Sequence, residues 1–154
     1  MGIYMKPKVA VVMGSESDRE VMKKAVEQLE ALGISCETFV ASAHRTPERA
    51  VGIAQEAEER GFKVIIAGAG LSAALPGVLA AHTTLPVVGV PIASGPLGGI
   101  DALLSMVQMP TGVPVATVGI NNAKNAAILA AEILALSDEG VRKALERMRG
   151  GWRG

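Results

Sequence analysis

Short apolar runs alternate with amphipathic stretches along this chain. Val9-Ala10-Val11-Val12-Met13 is unbroken and ends at Gly14, the mark of a strand buried on both faces. From Ser17-Asp18 the period changes. Val21, Met22, Ala25, Leu29 and Leu32 recur at helical spacing, and Gly33 stops the helix. A second strand is predicted over 37–41. A second helix runs from about Pro47 to Arg60, with Val51, Ala54 and Ala57 on one side and Gly61 at its end. Val64-Ile65-Ile66-Ala67 is the third strand, and Gly68-Ala69-Gly70 is expected to turn the chain into a helix near Ala73 to Ala81. Val87-Val88-Gly89-Val90 is a fourth strand. A short helix from about Gly99 to Met106 precedes a fifth strand over 114–118. Asn121 or Asn122 caps a helix through Ala123, Ala126, Ala127, Leu129, Ala130 and Leu134. A last helix spans about Asp138 to Met148, and its Glu139, Arg142, Lys143, Glu146 and Arg147 read as a solvated face.

Strands that alternate with helices predict a parallel sheet with right-handed crossovers. Five of them suggest an α/β fold, doubly wound in the flavodoxin-like order. No repeat, linker or low-complexity segment interrupts the 154 residues, so residues 1–154 read as one domain.

Composition narrows the function. Charged residues are only 19%, the formal net charge is zero and aromatics are 3%. Nucleic-acid binding needs a basic footprint and often stacking platforms, so it is excluded, as is a polybasic membrane contact. Between Lys63 and Lys124 the only formal charge is Asp101. Pro76, Pro86, Pro91 and Pro96 cut that stretch into pieces too short to span a bilayer. So little charge over so long a stretch predicts a surface shared between subunits of a homo-oligomer. The first residues, Met1 to Pro7, lack the apolar run of a signal peptide. The lone Cys36 cannot form an internal disulfide; it reads as a buried small hydrophobe in a reducing, cytoplasmic compartment.

The candidate chemistry lies in loops that follow strands, where open α/β sheets bind ligands. Ser42-Ala43-His44-Arg45-Thr46-Pro47 joins a hydroxyl, an imidazole and a guanidinium at a helix start, with Pro47 in the first turn. Arginine forks onto phosphate or carboxylate, and histidine titrates near neutral pH. The segment reads as an anion site with a proton-transfer group beside it. Gly14-Ser15-Glu16-Ser17-Asp18 offers two hydroxyls and several N–H groups for a phosphate, with Asp18 better placed for sugar hydroxyls. Helix capping by Ser15 or Ser17 is the competing structural role.

Gly68-Ala69-Gly70-Leu71-Ser72-Ala73 fits the G-x-G-x-x-A spacing of dinucleotide sites, but it follows the third strand and no acid stands about 20 residues on. A glycine-lined pocket floor is the better reading. The segment 93–99 is a lid or merely a loop. Met109-Pro110-Thr111-Gly112 precedes the fifth strand and so lies at the opposite end of the sheet. His82 falls near a helix end, where an imidazolium is favoured without any catalytic role. Two distant histidines and one cysteine give no metal-ligand spacing, and no serine sits in a nucleophile elbow.

Taken together, Val12-Met13-Gly14-Ser15-Glu16-Ser17-Asp18, Ser42-Ala43-His44-Arg45-Thr46-Pro47, Ala67-Gly68-Ala69-Gly70, Leu75-Pro76-Gly77 and Val107-Gln108-Met109-Pro110 with Gly112-Val113-Pro114-Val115 resemble the PurE family. The order and spacing match from about Lys8 to Leu136, leaving the helix near 138–148 outside that core. The resemblance implies a three-layer αβα sandwich, a cytoplasmic homo-octamer with sites at subunit interfaces, and no metal or organic cofactor. It implies N5-carboxyaminoimidazole ribonucleotide mutase activity in purine biosynthesis. By motif position, Ser15, Asp18 and Arg45 would bind the nucleotide, Ser17 and Ser42 would join them, Gly70 would lie by the imidazole ring, and His44 would be the general acid/base.

One departure stands out: Ala74 occupies the place of the histidine usual in the mutase branch, and Leu71-Ser72 replace smaller residues. A sister branch carboxylates aminoimidazole ribonucleotide directly with carbon dioxide and also tends to lack that histidine. Arg45, Pro47 and Ala69-Gly70 point to the mutase branch. Direct carboxylation is the alternative, and a non-catalytic nucleotide-binding module is the alternative of another class.

Overall fold

The apolar runs pair side by side in a computed structural model, which describes residues 7–153. Five parallel strands form one sheet in the order β2-β1-β3-β4-β5: β1 (Val9–Met13), β2 (Cys36–Val40), β3 (Val64–Gly70), β4 (Val87–Ile92) and β5 (Ala116–Thr117). This is the predicted doubly wound order. α1 (Arg19–Ala31) and α5 (Ala123–Ala135) pack on one face, with α6 (Glu139–Gly150) against α5. α2 (Pro47–Glu56), α3 (Leu75–Ala81) and α4 (Ile100–Val107) pack on the other. No helix among the described residues is long and apolar enough to cross a membrane.

The pleat explains why the central strands are apolar throughout. Val9, Val11, Met13, Val64, Ile66, Val88 and Val90 face the α1/α5 layer. Ala10, Val12, Ile65, Ala67 and Ala69 face the α2/α3/α4 layer. Both faces of β1, β3 and β4 are therefore covered. Gly68 completes the first set. A Cβ there would stand 2.3 Å from the Met22 sulfur, so α1 rests on the sheet through a methionine that fills the place of a missing side chain.

Several boundaries differ from expectation. Gly68-Ala69-Gly70 is not a turn: it is the last part of β3, paired with Val90, Pro91 and Ile92 of β4. The turn falls at residues 71–74, and α3 begins at Leu75 with Pro76 in its first turn. α2 ends at Glu56, and the chain reaches Gly61 (φ 93°) through further turns. Asn122 caps α5, accepting from the Asn125 N–H at 3.1 Å. Asn121 does other work. It holds a left-handed φ of 60°, accepts from the Ala93 N–H at 2.9 Å and donates its own N–H to the Pro91 carbonyl at 2.8 Å. Cys36 is half-buried on the edge strand rather than fully buried. Burial, and secondarily Glu30, hold its thiol above the ordinary value, so it is not a ready thiolate. α6 is charged outward, with Arg142 paired to Glu139 and Glu146, but Val141 and Leu145 are buried in the core beneath it.

Candidate active site

The carboxyl ends of β1, β2, β3 and β4 surround a cleft of ≈ 240 Å³. Ser15, Ser17, Asp18, Ser42, His44, Arg45 and Gly70 all line it. The sequence motifs are far apart along the chain; parallel strands bring their ends together at the crevice.

Ser15 starts the first loop in extended backbone (φ −154°) and caps a three-residue 3-10 turn, Glu16–Asp18, which leads into α1. The Ser15 Oγ accepts from the Ser17 N–H at 3.3 Å and from the Ser17 hydroxyl at 3.0 Å. Capping is thus part of its role, and the Ser15 proton is left free to point into the cleft. Asp18 ends the turn with only 8% of its surface exposed. Burial lifts its carboxyl above the ordinary range, against the opposing pull of a Ser15 backbone hydrogen bond. Glu16 points away and pairs with Arg19 at 2.8 Å.

The second loop is laced to itself. The Ser42 Oγ accepts from the Arg45 N–H at 3.0 Å, and the Thr46 Oγ1 accepts from the Ser42 N–H at 3.0 Å. Pro47 then opens α2. Arg49 donates to the Val40 carbonyl at 2.8 Å and so ties the helix back to β2. His44 and Arg45 stand exposed at the tip, and neither side chain makes a hydrogen bond or ion pair among the described residues. A free guanidinium, an imidazole and two free hydroxyl protons face the same space.

The opposite wall consists of Ala69, Gly70, Leu71, Ser72, Ala73, Ala74 and Leu75, with Ser94 from the loop after β4. Gly70 is required by close approach. A Cβ on it would meet the Ser94 Cβ at 2.8 Å and the Ile92 carbonyl oxygen at 3.2 Å. Ala74 presents only a methyl group, so no second imidazole faces His44 from that position. Sequence reasoning did not single out Ser94. Its only advance signal was its position in the flexible segment after the fourth strand. His82 caps α3, its Nδ1 2.9 Å from the Val78 carbonyl, and does not line the cleft. Met109 packs beside Gly77 of α3, likewise outside the cleft of this chain.

Three comparisons with known proteins converge. The profile of the AIR carboxylase family matches residues 8–152. The chain is 57% identical over 142 residues to the N5-carboxyaminoimidazole ribonucleotide mutase of Pyrococcus horikoshii, covering 92% of this chain and 80% of that protein. It is 58% identical over 141 residues to the mutase of the same name from Thermotoga maritima, covering 91% and 82%. Among solved structures, Treponema denticola PurE superposes with a TM-score of 0.85 at 32% identity, over 94% of this chain and 90% of that one. With that fold, these loops in register and this extent of match, the chain belongs to the AIR carboxylase family.

Proposed function

We propose that this protein is an N5-carboxyaminoimidazole ribonucleotide mutase of purine biosynthesis, forming 4-carboxy-5-aminoimidazole ribonucleotide. The observation that carries the reading is the meeting in one cleft of a hydroxyl-and-guanidinium wall, an imidazole and a wall of small side chains. The chain's similarity to curated mutases supports it.

Arg45 and the free hydroxyl protons of Ser15 and Ser42 anchor the phosphate, with Ser17 holding Ser15 in place. Asp18 accepts from ribose hydroxyls. The imidazole ring of the substrate lies against Gly70, where a side chain would exclude it. The N5–carboxylate bond then breaks. Its electron pair stays on the nitrogen, His44 supplies a proton there, and carbon dioxide is released into the cleft. C4 of the ring attacks that molecule, and the proton lost from C4 returns to His44. One proton is lent and recovered, so a single shuttle suffices. Methyl groups and glycine beside the carbon dioxide keep water from competing.

The working form is a cytoplasmic homo-octamer whose copies close the cleft. Ligand clefts generally enclose about 300–1,000 Å³, and the ≈ 240 Å³ of a single chain falls short. Ile100, Leu104 and Val107 of α4 are each about half exposed, and Leu97 just before them is 60% exposed, an apolar surface suited to burial between copies.

Ala74 favours a second reading, direct carboxylation of aminoimidazole ribonucleotide by carbon dioxide. One assay separates them. The isolated protein is given N5-carboxyaminoimidazole ribonucleotide without bicarbonate or ATP. The 4-carboxy product is expected. Turnover only of aminoimidazole ribonucleotide with carbon dioxide would establish the second reading, and nucleotide binding without turnover would leave a binding module.

A further inference from the structure

Leu71 stands where a branched side chain is least at home. It follows Gly70 at the carboxyl end of β3 with a backbone φ of 53°, in the left-handed region. Glycine would take that backbone freely. The Leu71 carbonyl accepts from the Ala73 N–H at 2.8 Å, and this tight turn holds the residue in place. The side chain lines the cleft, is half exposed, and reaches over Gly95. Its Cδ2 lies 2.6 Å from where a Cβ on Gly95 would stand. Gly95 is itself left-handed, at φ 72°. One residue earlier, Ser94 closes on Gly70. The loop after β4 therefore rests on the end of β3 at two successive positions, each opened by a glycine. Backbone strain kept at the rim of a ligand cleft, when a commoner residue would relieve it, points to a use for the side chain.

We propose that Leu71 is a positioning residue for carboxyl transfer. Clasped on Gly95, its isobutyl group roofs the small-residue wall and keeps carbon dioxide in the cleft between the two half-reactions. The inference rests on the mutase reading. The reaction is the balanced one already described: the N5–carbon bond breaks, the C4–carbon bond forms, and the proton moves through His44. Leu71 forms no bond. It raises the fraction of carbon dioxide that is recaptured before it escapes.

The test follows the carbon. The full-length parent protein receives substrate carrying ¹³C in the N5 carboxylate, in unlabelled bicarbonate with carbonic anhydrase present. The label in the 4-carboxy product and the aminoimidazole ribonucleotide released per product formed are both measured. The parent is expected to retain most of the label. Leu71→Gly and Leu71→Ala are each expected to release at least threefold more aminoimidazole ribonucleotide per product, with label lost in proportion. Leu71→Gly also relieves the backbone, so its melting temperature is not expected to fall by more than a few degrees, and the leak cannot be laid to unfolding. Unchanged partition in both variants, or a leak in Leu71→Ala alone, would overturn the inference while a competent parent leaves the mutase reading standing. A parent that makes no product overturns that reading, and the inference with it.

Discussion

On the side of the cleft formed by residues 14–18 and 42–47, polar groups hold one another: Ser15 takes two hydrogen bonds from Ser17, and Ser42 takes one from Arg45. On the side formed by residues 69–75 and Ser94, half of the side chains are methyl groups or absent, none carries a charge, and at Gly70 the backbones approach until only glycine fits. The first side offers oriented donors to a charged ligand. The second offers shape and dryness to a neutral one. A reaction that passes through free carbon dioxide on a phosphorylated substrate needs both, because the anchor and the migrating group want opposite surroundings.

His44 stands at the tip of the polar side's second loop, and replacing it should give the largest effect. His44→Asn keeps a polar side chain but cannot shuttle a proton. A fall in kcat of about 10²–10⁴ is expected, with nucleotide affinity within about tenfold, or about 1.4 kcal/mol. Steady-state kinetics with a binding titration check this; unchanged kcat would remove His44 from the chemistry. The small-residue wall is tested next. Gly70→Ala places a methyl group 2.8 Å from the Ser94 Cβ and 3.2 Å from the Ile92 carbonyl. Overpacking of this kind costs about 1–3 kcal/mol, read by denaturant unfolding, and the ring site should narrow so that kcat/KM falls as well. A variant as stable and active as the parent would mean that the end of β3 and the loop after β4 are not in close contact in solution.

The polar wall should yield the smallest change, and one of opposite sign. Burial raises the Asp18 carboxyl in the folded protein. Ionising it there costs more than in the unfolded chain, so stability is lost as pH rises through the folded pKa. Asp18→Asn should therefore melt slightly higher at pH 7. The gain should vanish below about pH 4, where the unfolded carboxyl is protonated too. The same variant should bind nucleotide more weakly. Melting curves across pH decide the point; a lower melting temperature at pH 7 would mean that the carboxylate is already well paired.

The same contrast explains what could be read in advance. Strand order followed from apolar runs and helical periods, and the polar wall from side chains whose chemistry is local to a motif. The other wall depends on contacts between segments distant in the chain. Gly70 and Ser94 meet across β3 and β4, and no pattern within either segment announces it. The same gap misled the reading of Gly68-Ala69-Gly70. A G-x-G string looks like a turn, and only the packing of Met22 from α1 shows why a strand tolerates it. The expectation that Cys36 is buried rests on the residue type alone, and nothing in the sequence announces its place on an edge strand.

The seat of Met22 on Gly68 reaches beyond the core. α1 carries the Ser15–Asp18 turn at its leading end, so the height of that helix above the sheet sets how far the Ser15 and Ser17 hydroxyls stand from the floor of the cleft. An absent side chain acts as the gauge. A methyl group at 68 would make the flexible end of Met22 swing aside, and with it the seat on which α1 rests.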